Sequence, residues 1–260
     1  MVRDSYAFIY DDFLNDRKYE RVLAEIDARF AALDVSGRVG KLALFRSAKD
    51  LVESMVSQGA TTIVIVGNDR TVDKVMWFLP DIPVIVGYIP VEEPSQVAEL
   101  LGIPAGAAAC DVLAARLMET LDVGKLDDRY FLTEVTLPQT IASVDIEGMY
   151  RISPSAGGSI SIRNLGTVTK KESSLSDAKD GLLEVVITPQ AENGGSWLKK
   201  KPMEETRIMI THGQIISPEP VEVHADHHVV NGMNFVLGMV PKKLRIITGR
   251  GRRVSTGEKG

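Results

Sequence analysis

The sequence predicts an α+β chain of two domains: an N-terminal parallel α/β domain of Rossmann-like type over residues 1–124, then a C-terminal antiparallel β-sandwich over residues 125–260. Two observations lead there. In the first half, short apolar runs alternate with stretches of helical periodicity, the pattern of βαβ units feeding a parallel sheet. In the second half helical periodicity almost vanishes, and short strand-like runs are separated by Gly, Pro, Asn and Asp. A chain of 260 residues is long enough for two cores.

In order, the strands expected in the first half are Tyr6–Tyr10, Lys41–Phe45, Thr61–Val66 and Val84–Tyr88. Helices are expected over Arg17–Leu33, Ala48–Gln58, Thr71–Phe78, Pro94–Leu101 and Ala105–Leu121. In the first helix Tyr19, Val22, Leu23, Ile26 and Phe30 recur at three- and four-residue spacings, so one stripe faces a core. A switch near Asp122–Asp128 opens the second half. Its expected strands are Tyr130–Thr136, Thr140–Ile146, Ser159–Arg163, Leu183–Thr188, Arg207–Thr211, Val221–His224, Asn234–Val240 and Leu244–Thr248. Thr169–Asp180 and Glu192–Trp197 read as loops.

Composition narrows the function. A net charge of −5 argues against a nucleic-acid partner, which needs a basic field to gather phosphates. No apolar run approaches the roughly 20 residues of a membrane span, and the start Met1–Tyr6 lacks a signal-peptide apolar region, so a cytoplasmic protein is expected. The single cysteine, Cys110, fits a reducing compartment and reads as a small core residue. Trp197 beside Lys199–Lys201 and the tail Arg250–Gly260 allow at most peripheral contact with anionic headgroups; a solvated loop and a mobile end are the blander readings.

The segment Thr61–Val75 is an apolar strand, a tight turn at Gly67-Asn68-Asp69-Arg70-Thr71 and an amphipathic helix. A helix start offers free N–H groups and a positive dipole end, so a nucleotide phosphate is expected there. The turn resembles the Gly-Gly-Asp-Gly-Thr turn of the diacylglycerol kinase, sphingosine kinase and NAD kinase superfamily, with Gly67, Asp69 and Thr71 kept. Further landmarks follow in the same order. Ile89-Pro90 through Gln96 matches the register of the family's Ile-Pro-x-Gly-Thr-Gly-Asn-Asp, and Leu101-Gly102-Ile103-Pro104 its helix ending. Asp180–Val186 is similar to its Asp-Gly-x-Leu-Glu-Val-Val strand, and Pro241–Ile247 to its final strand. These late landmarks point to the lipid-kinase branch.

The resemblance implies a nucleotide site at Gly67, Asn68, Asp69, Arg70, Thr71 and Ser95, and ATP with Mg²⁺ as cofactors if the protein is active. Its substrate would be a lipid or another small hydroxyl compound. Asp226-His227-His228 stands where the family has Asp-Gly-Glu, whose glutamate deprotonates the acceptor; this makes Asp226 and His228 the catalytic candidates. A histidine suits proton abstraction near neutral pH. Several positions depart from the family. Asn68 and Arg70 replace glycines, Glu92 and Glu93 stand in place of Gly-Thr, Pro94 removes a backbone donor, and Asp11–Leu14 replaces Asn-Pro and small residues. Two carboxylates repel a triphosphate. The function expected is therefore a lipid-kinase-like protein with a degenerate nucleotide site and kinase activity lost or reduced; the alternative is an active ATP-dependent lipid kinase.

No dedicated metal site is assigned, but one remains open in the spacing. If His224, Asp226 and His228 lie on one strand, they share a face and offer three N/O ligands; a polar strand end is the competing reading. Asp69 likewise reads either as an organiser of Mg²⁺ or as a helix cap.

Overall fold

The computed structural model describes residues 5–42, 47–166, 176–190 and 205–254. They form two compact units. The first comprises the described residues up to Leu121 together with 242–254, the second those from Asp122 to Pro241.

The first unit begins β1 (Tyr6–Tyr10), α1 (Glu20–Ala32), β2 (Gly37–Lys41), α2 (Ala48–Ser57), β3 (Thr62–Gly67), α3 (Asp69–Met76) and β4 (Ile85–Pro90). It continues through α4 (Gln96–Leu101), α5 (Ala108–Ala115) and the start of β5 (Met118–Leu126). β2, β1, β3 and β4 lie side by side, all parallel, with Tyr6 opposite both Gly37 and Thr62 and Thr62 opposite Ile85. Every residue of β3 and β4 is buried, which is why both read as unbroken apolar runs. α3 packs on β3, α5 on β4, α1 against α5 and α2 against α3.

Two elements of this unit differ from expectation. The helix expected over Ala105–Leu121 stops at Ala115, because Arg116 turns left-handed at φ 52°, and Met118 onward is strand. The strand expected at Lys41–Phe45 lies earlier, at Gly37–Lys41, on the edge of the sheet. Its residues are mostly exposed, so it carries no apolar alternation to read. Residues 43–46 fall outside the description.

The second unit contains the rest of β5 and β6 (Arg129–Phe131), β7 (Glu134–Leu137), β8 (Ser143–Ile146), β9 (Tyr150–Ile152) and β10 (Ser159–Arg163). β11 (Leu183–Thr188), β12 (Thr206–Ile210), β13 (His212–Ala225) and most of β14 (His228–Ile247) complete it. Its strand pairs are antiparallel: β12 with β11, β11 with β10, β10 with β7, β7 with β13, and β13 with both β14 and β8. The strands enclose one apolar core, with Phe131, Val144, Ile162, Val185, Ile215 and Leu237 among its buried residues. The fold class is thus a parallel α/β unit and an antiparallel β-sandwich.

The sandwich does not keep the C-terminal stretch that the expected span 125–260 gave it. Arg245 and Ile246 of β14 pair in parallel with Ile85 and Val86, so the end of β14 adds a fifth parallel strand to the first unit, to which residues 242–254 belong. The expected loops over Thr169–Asp180 and Glu192–Trp197, and Lys199–Lys201, lie wholly or partly outside the described residues, as do residues 255–260 of the tail. Among the described residues no helix is long and apolar enough to cross a membrane.

Candidate functional site

Gly67 ends β3 and Asn68 caps α3 with a reciprocal pair of bonds. The Thr71 N–H donates to Asn68 Oδ1 at 3.2 Å, and the Asn68 N–H donates to Thr71 Oγ1 at 3.1 Å. Gly67 must lack a side chain, since a Cβ there would stand 2.2 Å from Thr71 Oγ1. The turn is tied to the first strand as well. Thr71 Oγ1 donates to Asp11 Oδ2 at 2.7 Å, and Lys74 Nζ donates to Asp11 Oδ1 at 2.6 Å. Burial alone would raise the pKa of Asp11, but bonding with Asp12, Lys74 and Thr71 and the charge of Lys74 bring it below the ordinary carboxylate value.

Asp69 is turned toward the start of α4. Its Oδ1 accepts from the Tyr88 hydroxyl at 3.1 Å and from Ser95 Oγ, and its Oδ2 accepts from the N–H groups of Gln96 at 2.7 Å and Val97 at 3.4 Å. Ser95 in turn caps α4 by accepting from the Ala98 N–H at 3.0 Å. Burial, with the charge of Asp69 adding to it, pushes the Tyr88 hydroxyl pKa strongly upward, so this tyrosine stays a donor. Asp69 thus joins two helix starts. Arg70 points to solvent.

Glu92 follows β4 and reaches back to the same turn. The amide of Asn68 donates to Glu92 Oε2 at 3.1 Å, the Tyr19 hydroxyl donates to Oε1, and Lys18 Nζ lies 3.8 Å from Oε1. The bond from Tyr19, then that from Asn68, hold the Glu92 carboxyl below its usual range, so it is an anion at neutral pH. A cleft of about 530 Å³ opens beside it, lined by Glu92, Glu93, Pro94, Ser95, Glu99 and Ile103 among others. Its carboxylates give it the wrong sign for a triphosphate.

Asp226 and His228 lie in the second unit, on the turn joining β13 to β14. Ala225 pairs with His228, leaving Asp226 and His227 as a two-residue turn in which Asp226 takes φ 49°. The Asp226 carboxylate accepts from the N–H groups of Leu132 at 2.8 Å, Thr133 at 2.9 Å and Glu134 at 3.0 Å, and from the Thr133 hydroxyl. It fastens this hairpin to the β6–β7 connection. The face-sharing premise behind the three-ligand metal reading is corrected by the register. Because Ala225 and His228 are cross-strand partners, His228 shares the face of Ala225, whereas His224 points to the opposite one and bonds Glu222 at 2.6 Å. Among the described residues no three His, Cys, Asp or Glu side chains gather as a metal would require.

The structure therefore gathers Gly67, Asn68, Asp69, Thr71 and Ser95 at the end of β3 in two hydrogen-bonded groups, Asn68 with Thr71 and Asp69 with Ser95, while Gly67 packs closely against Thr71. Sequence reasoning passed over Tyr19, Tyr88 and Lys74, and no short spacing signals them: Tyr19 and Glu92 are 73 positions apart. Cys110 is buried in α5, and burial pushes its thiol pKa up to about 11.

No family model matches the sequence, and no curated protein matches it. Solved structures do. A diacylglycerol kinase from Bacillus anthracis strain Sterne superposes with a TM-score of 0.75 at 16% identity, covering 95% of this chain and 97% of that one. Another structure from the same strain, described as a candidate diacylglycerol kinase, gives 0.78 at 13% identity, covering 97% and 99%. The chain has the diacylglycerol kinase fold. At such identities the likeness speaks for the fold, and the roles of individual side chains rest on their own geometry.

Proposed function

We propose that this is a lipid-kinase-like pseudokinase, cytoplasmic, in which ordinary ATP-dependent phosphoryl transfer is lost or strongly reduced. The observation that carries this reading is the bond between Asn68 and Glu92, which sets a carboxylate against the turn where the fold's relatives would be expected to hold phosphates. Phosphoryl transfer depends on positioning and on stabilising negative charge, so an anion at the phosphate turn removes most of its means.

ATP and Mg²⁺ are the cofactors such a fold suggests, and the residues present fit them poorly. Both oxygens of Asp69 are engaged by Tyr88, Ser95, Gln96 and Val97. Asn68 is bonded to the Glu92 carboxylate at the turn that would accept the phosphates, and Pro94 offers no N–H in the second loop. A lipid or small hydroxyl compound is the substrate class under the alternative of an active kinase, with His228 as the base.

Calorimetric titration with Mg-ATP tests the proposal. Binding no tighter than the millimolar range is expected. A micromolar dissociation constant, with phosphate transferred to a lipid hydroxyl, overturns it in favour of the active kinase.

A further inference from the structure

Glu92 is held from three sides. The Asn68 amide and the Tyr19 hydroxyl donate to its two oxygens, and Lys18 Nζ stands 3.8 Å away. Asn68 is also the cap of α3: its carbonyl oxygen accepts from the Thr71 N–H, while its amide nitrogen reaches Glu92. One side chain thus links the helix start to an anion supplied by another part of the chain. The loop carrying Glu92 is fixed beside the turn, because the Val91 N–H donates to the Gly67 carbonyl at 2.9 Å. Glu93, the next residue, is exposed.

We infer that Glu92 is an intramolecular latch, a tethered carboxylate that takes the place of a ligand phosphate at the α3 cap and keeps the turn closed to polyphosphates. This rests on the pseudokinase reading and adds its cause: the turn keeps donors suited to an anion, in the Asn68 amide and the Tyr19 hydroxyl, and they are spent on Glu92, with the Lys18 charge beside it. An intramolecular partner competes at a high effective concentration, so a free phosphate loses to it. Without the carboxylate, the Asn68 amide and the Tyr19 hydroxyl are left to an incoming phosphate, with Lys18 close by.

The test compares tripolyphosphate and Mg-ATP binding, by calorimetry, to the parent, Glu92→Gln, Glu92→Ala, Glu93→Gln and Tyr19→Phe, each checked for an unchanged thermal transition. Glu92→Gln should tighten tripolyphosphate binding about tenfold or more, the factor that about 1.4 kcal/mol represents. Tyr19→Phe removes a donor from the carboxylate and from an incoming phosphate alike and should give no gain, whereas Glu92→Ala, which removes the carboxylate itself, should tighten binding as Glu92→Gln does and carries the test should Glu92→Gln not fold. Glu93→Gln removes the same charge one residue away and should change binding less than threefold, a bound set by the screening of exposed charges. Equal gains from Glu92→Gln and Glu93→Gln would show a general charge effect and overturn the latch. No gain from Glu92→Gln while the parent binds weakly overturns the latch alone. Tight Mg-ATP binding by the parent overturns the pseudokinase reading and the latch with it.

Discussion

Thr71 and Asp11 join the end of the first strand to the turn that opens α3: the threonine hydroxyl donates to the buried carboxylate at 2.7 Å, 60 positions apart in the chain. Lys74 meets the other oxygen of Asp11 at 2.6 Å. Asp11 has a folded pKa below its ordinary value, so its contribution to stability is complete above about pH 4, the unfolded value, and is lost as pH falls through the folded one. Asp11→Asn should cost about 2 kcal/mol at pH 7, the order of a hydrogen bond to a charged group. Urea denaturation at pH 7 and pH 3 should show that difference shrinking at the lower pH.

Gly67 is required by closeness. An added methyl would meet Thr71 Oγ1 at 2.2 Å and Thr71 Cβ at 2.6 Å, both in a helix start anchored to Asp11. Gly67→Ala should destabilise by about 1–3 kcal/mol, as overpacking does. A thermal transition unchanged within 1 °C, roughly the resolution of such a measurement, would show that the turn yields cheaply.

Asp226 has the bonding of a structural clamp. Asp226→Asn keeps a residue tolerant of positive φ but turns an amide NH₂ toward backbone donors, and should cost about 1–3 kcal/mol. Hydrogen exchange locates the effect: protection at the amides of Leu132, Thr133 and Glu134 should fall more than elsewhere in the sandwich. Unchanged stability and protection would reopen a chemical role for this carboxylate.

The last parallel strand predicts the effect of truncation. Leu244, Ile246 and Ile247 are all buried, and Arg245–Ile246 covers one edge of β4. A chain ending at Pro241 should therefore lose cooperative unfolding of its first unit and aggregate through the bared edge, seen as a lost thermal transition and increased light scattering.

The parallel half was legible wherever burial was two-sided: β3 and β4 are unbroken apolar runs because both faces are covered. The strands that sequence reading cut short contain punctuating residues. β13 runs on through Pro218 and Pro220 because the pairing shifts between Ile216 and Val221, and β14 passes through Gly238 and Pro241 as one strand of 20 residues. At the site, the helix-start turn was visible as a local motif. What the motif is bonded to was not, because Asp69 finds Ser95 and Tyr88, and Asn68 finds Glu92, only after β3 and β4 pair. Local spacing carries caps and turns, whereas contacts across the sheet exist only in the folded chain.

The long strand β14 also sets the order in which this chain can be completed during synthesis. The first unit receives its final strand from residues 242 onward, so β4 emerges from the ribosome some 155 residues before its neighbour Arg245–Ile246 exists. At about 5–20 residues per second, that interval lasts on the order of ten seconds. Through it the nascent α/β half carries an open edge on a strand buried throughout in the finished fold. The sandwich, made later in the chain, must be traversed before the earlier unit can close, so translation speed and chaperone access bear most heavily on the half that is made first.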